Sequence, residues 1–463
     1  MADIKNITSK KAMLVMIFTL AWPTMLEQLL QTAVQYVDFA MVGSLGTEAA
    51  AAVGATTTVN WLVGSTVSAI AVGFLAIIAK AIGEGNNSLV RRTSGQTVFI
   101  TLICGAVFTV VPLALSPVVP ILMHVDPLVR HDASLYFFIL YTPMLFRCAS
   151  IIFGTALRAS GDTKTPMRVG LLVNAANVTL NYLFIYPLRT VKLFGFNVTI
   201  PGLGLGVIGA AAASAIAYAI GGVCITVALY RHKLLSPKGQ KISPDREILT
   251  PCMKVAFPNM CQRFGTSLGY VVFASMINSL GGVATAAHSF ANTVESAFYI
   301  PGYGMQTAAA TLAGNAYGEN NREKLRDISS MILKIEVFLM ILSGTTLFIT
   351  APYMMRIFSS DVAVIALAVT VLRMVALSEP FYGVSIIIEG ILQGVGKTVT
   401  SFKYNLIGMW CIRIVGTFVC TQILSLGLES AWGCMIAHNI TLFVLFVIHY
   451  RKGKWNPLNI KTA

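Results

Sequence analysis

Asp38 stands in the stretch QYVDFAMVGSLG, residues 35–46, inside an otherwise apolar run. A carboxylate in hydrocarbon costs about 2.5–3.5 kcal/mol on insertion scales, so an acid kept there has a use by default. It can bind a cation or exchange a proton. The plainer reading is a helix-end residue reaching interfacial water. Glu27 lies three helical turns earlier on nearly the same face. Asn174, Asn177 and Asn181 fall on one face of a later helix. They either offer carbonyl oxygens to a cation near Asp38 or hold helices together by hydrogen bonds. Glu295, Tyr299 and Tyr303 recur at i, i+4 and i+8 beside Pro301 and Gly302. An acid flanked by ring faces suits a lipophilic cation, and packing against the preceding helix is the alternative. Met25, Met41, Met260, Met276 and Met305 supply adaptable walls. Glu379 and Glu389 flank Pro380 and are expected to pair with Arg373 or Arg413, and His288 and His438 read as isolated structural histidines.

The elements that carry these residues follow from composition. The chain has 463 residues, 56% of them hydrophobic and only 11% charged, where a soluble domain averages about 25% charged. Its apolar runs are long enough to cross hydrocarbon about 30 Å thick. Twelve helical spans are expected, at 12–38, 49–80, 93–117, 133–157, 167–188, 206–230, 250–278, 285–315, 328–350, 363–393, 402–424 and 430–450. Strands are not expected, because the segments are continuous rather than alternating. The apolar run from Ala12 reads as the first span rather than a cleaved signal.

The net charge is +14, and topology accounts for it. With an inside N-terminus, twenty-four Lys and Arg fall in cytoplasmic segments, against Arg130, Arg189, Lys192 and Arg356 outside. This bias sets both termini in the cytoplasm. No basic-aromatic patch suggests a nucleic-acid partner. The eight cysteines form no C-x-x-C, so metal and disulfide roles are not expected.

The chain also repeats itself at an offset of 235 residues. Ala21-Trp-Pro-Thr-Met25 resembles Ala256-Phe-Pro-Asn-Met260, and Ser44-Leu-Gly46 returns as Ser279-Leu-Gly281. Gly83-Glu84 aligns with Gly318-Glu319, Asn86 with Asn321, and Gly161 with Gly396. Six spans, an even number, separate the copies, so the two share topology. This gives an N-terminal six-helix bundle at 1–230, a polar cytoplasmic linker at 231–249 and a C-terminal six-helix bundle at 250–463, an arrangement that usually places a cavity between bundles. The repeat breaks at the chemistry. Asp38 aligns with Phe273, Asn60 with Glu295, and Gln28 with Arg263.

Gly204-Leu-Gly206-Val-Ile-Gly209 matches G-x-G-x-x-G but follows no strand of a βαβ unit, so it does not read as a nucleotide site. No Walker A sequence, H-E-x-x-H or nucleophile elbow occurs. No cofactor and no enzyme activity are expected.

Several stretches together resemble the multidrug and toxic compound extrusion (MATE) family. They are Val37-Asp-Phe-Ala-Met-Val-Gly43, Leu157-Arg-Ala-Ser-Gly-Asp-Thr-Lys-Thr-Pro166 with its echo Leu392-Gln-Gly-Val-Gly-Lys-Thr398, and the segment from Glu295 to Gly318. The pattern is closer to the DinF-like branch than to the NorM-like one. The resemblance implies an all-α membrane protein of two six-helix bundles related by pseudo-two-fold symmetry. It implies secondary active export of lipophilic organic cations in exchange for protons or sodium. Asp38, with Asn174, Asn177 and Asn181, would serve ion coupling; Glu295, Tyr299, Tyr303, Met276 and Glu27 would meet the substrate. Asn181 stands where the family's fifth-helix motif has aspartate, which favours protons over sodium. A monomer in a bacterial plasma membrane is expected. A flippase for a lipid-linked precursor is the alternative.

Overall fold

The structure is a computed structural model that describes residues 9–122, 127, 130–193 and 196–462. It is an all-α membrane protein with one short β-hairpin. The helices are α1 (Lys10–Gly43), α2 (Thr47–Glu84), α3 (Asn87–Leu115), the single turn α4 (Val119–Leu122), α5 (Arg130–Tyr141), α6 (Met144–Ala159), α7 (Lys164–Phe184) and α8 (Gly206–Arg231). The second half holds α9 (Arg246–Asn278), α10 (Gly282–Gly318), α11 (Arg322–Phe358), α12 (Val362–Ala376), α13 (Glu379–Gly394), α14 (Thr398–Leu406), α15 (Val415–Phe418) and α16 (Leu428–Arg451). Residues 407–414 and 419–423 are π-helical and join α14 and α15 into one span, Thr398–Ile423.

Seven described helices are long and apolar enough to cross a membrane, and two bent pairs raise the number to nine. The remaining long helices, α7, α9 and α10, stand where the other three spans are expected. They are less apolar than the other spans.

The helix boundaries repeat at the offset seen in the sequence. The α5–α6 pair bends by 48° at Thr142-Pro143, and α12–α13 bends by 54° at Leu377-Ser378. The start of α6 at Met144 maps onto the start of α13 at Glu379, and both helices end at equivalent residues, Ala159 and Gly394. Two pairs of turn glycines share positive φ, Gly46 with Gly281 and Gly161 with Gly396. Side-chain-bearing residues rarely adopt this conformation, which explains glycine in both copies.

By contact the chain forms two compact units. One comprises residues 1–28, 75–86 and 250–463; the other comprises 29–74 and 87–249. Within the first, the C-terminal ends of α2 and α10 cross at equivalent residues. A Cβ at Gly83 would run into the Asn315 carbonyl oxygen, and a Cβ at Gly318 into that of Lys80. A Cβ at Gly314 would lie 2.7 Å from the Cβ of its repeat mate Ala79. The crossing is reciprocal, and glycine is what lets the two backbones meet, as small residues do at membrane helix interfaces. In the same unit Thr24 follows Pro23 in α1 and donates its hydroxyl to Gly304 O of α10 at 2.9 Å.

In the second unit the linker is fastened to α3. Gln96 Nε2 donates to Ser243 O at 2.8 Å, and Asp245 N donates to Gln96 Oε1 at 3.1 Å. Arg92 bonds Asp245 at 2.6 Å and Glu247 at 2.9 Å, and this guanidinium holds the Asp245 carboxyl below the usual carboxylate range.

The expectation of no strands is corrected. Residues Pro187–Leu193 and Phe196–Leu203 form an antiparallel hairpin, β1 and β2, pairing Leu193 with Phe196 and Thr190 with Thr199. The stretch is rich in β-branched Thr, Val and Ile.

Alanine at Gly83 or Gly318 should overpack the crossing at a cost of about 1–3 kcal/mol and lower the thermal midpoint of the detergent-purified protein. Gly433→Ala is the control, since its Cβ would meet nothing within 4 Å. Unmoved midpoints for both crossing variants would contradict the reciprocal contact.

Candidate functional site

In the unit holding residues 29–74 and 87–249, the C-terminal half of α1 presents Asp38 to α7. Asn181 Nδ2 donates to Asp38 Oδ1 at 2.6 Å. Asn177, one turn earlier, lies against the same carboxylate. With its amide nitrogen facing Asp38 it donates to Oδ1 at 2.7 Å and Oδ2 at 3.0 Å, while its oxygen accepts from Ser214 Oγ of α8 at 3.1 Å. Asp38 is half-buried, and both asparagines are buried. No lysine or arginine pairs with Asp38 among the described residues. The helical spacing that puts Asn177 and Asn181 on one face explains the clasp. Asn174 lies on that face too, half-buried, and makes no hydrogen bond among the described residues.

The clasp holds the carboxylate by hydrogen-bond donors alone. An amide can also reverse, offering its oxygen instead. Asn177 can therefore donate to a carboxylate or accept from a carboxylic acid without moving its backbone.

In the unit that includes residues 250–463, Glu295 of α10 is buried, within electrostatic reach of Glu379 of α13 and of Arg413. Glu336 of α11 completes an acidic cluster and also faces Glu379 electrostatically. Glu336 is fully buried, and neither of its oxygens has a hydrogen-bond partner. Two glycines make its room. A Cβ at Gly302 would lie 2.8 Å from Glu336 Oε1, and one at Gly383 would lie 3.2 Å from it. The sequence reading missed Glu336. Its signal was an acid deep in the apolar span 328–350, whose repeat mate is Thr101, but Lys334 nearby gave it the look of a charged helix end.

Tyr299 and Tyr303 pack edge to face with ring centroids 6.0 Å apart, and Tyr382 joins them. The hydroxyls of Tyr303 and Tyr382 are 2.9 Å apart. Met276 is buried in an apolar cluster with Phe273, Ile277 and Trp432. Glu27 is half-buried on α1 in the same unit.

Among the described residues, the ion pairs expected for Glu379 and Glu389 are not formed. Glu389 accepts from Gln262 at 2.9 Å, Gln393 at 3.1 Å and Asn405 at 3.1 Å. Arg413, in the π-helical part of its span, lies over the rings of Phe273 at 4.1 Å and Tyr270 at 4.9 Å and donates to Met435 Sδ. Arg373 donates to Phe348 O. Ring faces and carbonyls hold these guanidinium groups where carboxylates were expected. Among the described residues no group of His, Cys, Asp and Glu is placed to hold a metal ion.

The MatE family profile matches the chain twice, at residues 23–183 and 258–419. The starts of the two matches differ by the same 235 residues that relate the helices, and together they cover more than two thirds of the chain. The chain belongs to the MatE family. Membership makes it a transporter of the multidrug-extrusion family rather than an enzyme. Among curated MATE relatives, the probable multidrug resistance protein NorM of Thermotoga maritima is 28% identical over 96% of this chain and 93% of its own length. The probable multidrug resistance protein YoeA of Bacillus subtilis is 24% identical over 92% of this chain and 90% of its own. A crystal structure of MATE in complex with MaL6 shares the fold, with a TM-score of 0.88 and 22% identity over 96% of both chains.

A buried carboxyl without partners costs about 1–3 kcal/mol in mutational terms. Glu336→Met should therefore raise the stability of the purified transporter by that order while lowering transport at least tenfold. A variant that is destabilised, or that transports normally, would show that Glu336 is not a functional burden.

Proposed function

We propose that this MATE protein is a secondary active exporter of lipophilic organic cations. Protons drive it by alternating access of its two halves, and Asp38 is the coupling carboxylate. The observation that supports this most is the clasp of Asn181 and Asn177 on Asp38. As an anion, Asp38 accepts from both carboxamides. Once protonated, it donates to the Asn177 oxygen after the amide turns. The same carboxamides can thus serve both the anion and the acid. A bare metal cation wants several oxygen ligands, and this site offers one acid. The absence of a second carboxylate here favours the proton over sodium.

Coupling requires that ion and drug bind differently in two conformations. Helix α1 is suited to this. Its outer part carries Asp38 in one compact unit, and its inner part is held by the Thr24–Gly304 bond in the other. Pro23 lies between them and the cytoplasmic end, and proline removes a helical hydrogen bond where it stands. Protonation of Asp38 from outside bends α1 and releases the drug. Glu295 with Tyr299 and Tyr303 attracts the cation, Met276 and Glu27 contribute further contacts, and Asn174 lies on the ion's route. The protein works as a monomer in a bacterial plasma membrane, with both termini in the cytoplasm.

Dye transport into everted vesicles, with pH and sodium gradients imposed separately, tests this reading. A pH gradient alone should drive transport. Asp38→Asn should insert at normal levels and lose gradient-driven transport more than tenfold. Full transport in that variant, or drive by sodium alone, would contradict it.

A further inference from the structure

The two halves join their last two spans differently. In the N-terminal half the β1–β2 hairpin stands between α7 and α8. In the C-terminal half only residues 424–427 separate the span Thr398–Ile423 from α16. A pair of thiols flanks that turn. Cys420 belongs to the π-helical stretch 419–423, and Cys434 to the second turn of α16. Their sulfurs are 3.9 Å apart, the one hydrogen-bonded pair of thiols among the described residues.

The local backbone brings them together. Leu424 N donates to Val419 O at 3.0 Å, and Leu426 N donates to Cys420 O at 2.9 Å. These bonds fold the turn back over the end of the π-helical stretch, a widened geometry that recurs at functional sites. Gly416, one turn before Cys420, makes room for the other sulfur, since a Cβ there would lie 3.0 Å from Cys434 Sγ. Both thiols are half-buried, and the polar side chains of Gln422 and Ser425 beside them are exposed. The pair therefore lies at a polar end of its span, within reach of small solutes.

We propose that Cys420 and Cys434 are a dithiol that a peroxide converts reversibly into a disulfide, stapling the end of the span Thr398–Ile423 to α16. Side-chain rotation closes the gap to the bonding distance of about 2.05 Å. One sulfur takes an oxygen atom from hydrogen peroxide as the O–O bond breaks, giving a sulfenic acid and one water. The other sulfur then attacks the first. The S–S bond forms, the S–O bond breaks, and a second water leaves with the remaining thiol proton. The two sulfurs lose two electrons and the peroxide gains them. With both termini in the cytoplasm, the turn at 424–427 faces outward, away from the thiol pool that would keep the pair reduced. The link also secures the contact of Arg413 with Met435 Sδ, because those residues lie on the two stapled segments. This inference uses only the orientation from the efflux reading, so its failure leaves that reading standing. A contact that merely packs the two helices would leave both thiols free after oxidation.

Purified wild type is treated with a small excess of hydrogen peroxide, denatured, and its free thiols are counted with a maleimide. Of the eight cysteines, two should be lost, and dithiothreitol should restore both. Glu429 lies between the pair, so cleavage at glutamates should leave fragments 390–429 and 430–463 joined until reduction, as read by mass spectrometry. The joined fragments should be absent from Cys420→Ser and from Cys434→Ser. Oxidation should raise the thermal midpoint of the wild type by about 2 °C or more. Retention of all eight thiols by the wild type overturns the proposal. So does a link that persists in Cys420→Ser, which would assign it to another cysteine, or an unmoved midpoint. Should the serine variants fail to insert, the wild-type thiol count and joined fragments decide.

Discussion

The carboxylate of Asp38 sits in a helix bundle that gives it two carboxamides and, among the described residues, no cation. A charge placed in low dielectric must be paired, hydrogen-bonded or neutralised by a proton. Pairing with lysine or arginine would fix it permanently in the charged state. Amide donors satisfy the anion and, by turning, the acid. That freedom is what a site needs if it is to load and unload a proton while the transporter cycles. The other unit solves the same problem differently. Glu389 is surrounded by three amide donors, whereas Glu336 is given none and is sheltered between glycines.

Duplication supplies the frame on which these charges are hung. Bent pairs, turn glycines and the crossing of α2 with α10 all recur at one offset, so the two halves share their mechanical parts. The charges do not recur. Asp38 and the α7 asparagines belong to one half; Glu295, Glu336, Glu379 and Arg413 belong to the other. A symmetric scaffold can adopt two related arrangements, and an asymmetric set of charges gives an ion and a drug different reasons to prefer one of them. Helix α1 contributes residues to both compact units.

Much of this was legible in the residues. Apolar length revealed the spans, and the 235-residue offset revealed the repeat. Helical spacing alone brought Asn177 and Asn181 to one face, and the structure sets that face against Asp38. What escaped reading depended on neighbours distant in sequence. Glu336 owes its isolation to Gly302 and Gly383, on two other helices. Cys420 and Cys434 meet only because the turn at 424–427 folds one helix end against the next. The pairing expected for Glu379 and Glu389 failed because charge complementarity along a sequence does not reveal that ring faces and amides stand closer. The hairpin at 187–203 carried only a weak signal, two short runs of β-branched residues (Thr190-Val191 and Val198-Thr-Ile200) without alternation.

Proton release on drug binding measures the coupling most directly. Purified transporter in weakly buffered detergent solution is titrated with a lipophilic cation such as rhodamine 6G while a pH indicator counts protons. The account predicts release of about one proton per dye bound by the wild type. Asp38→Asn should still bind the dye and release none. Proton release undiminished in that variant would contradict the assignment of Asp38 as the coupling site.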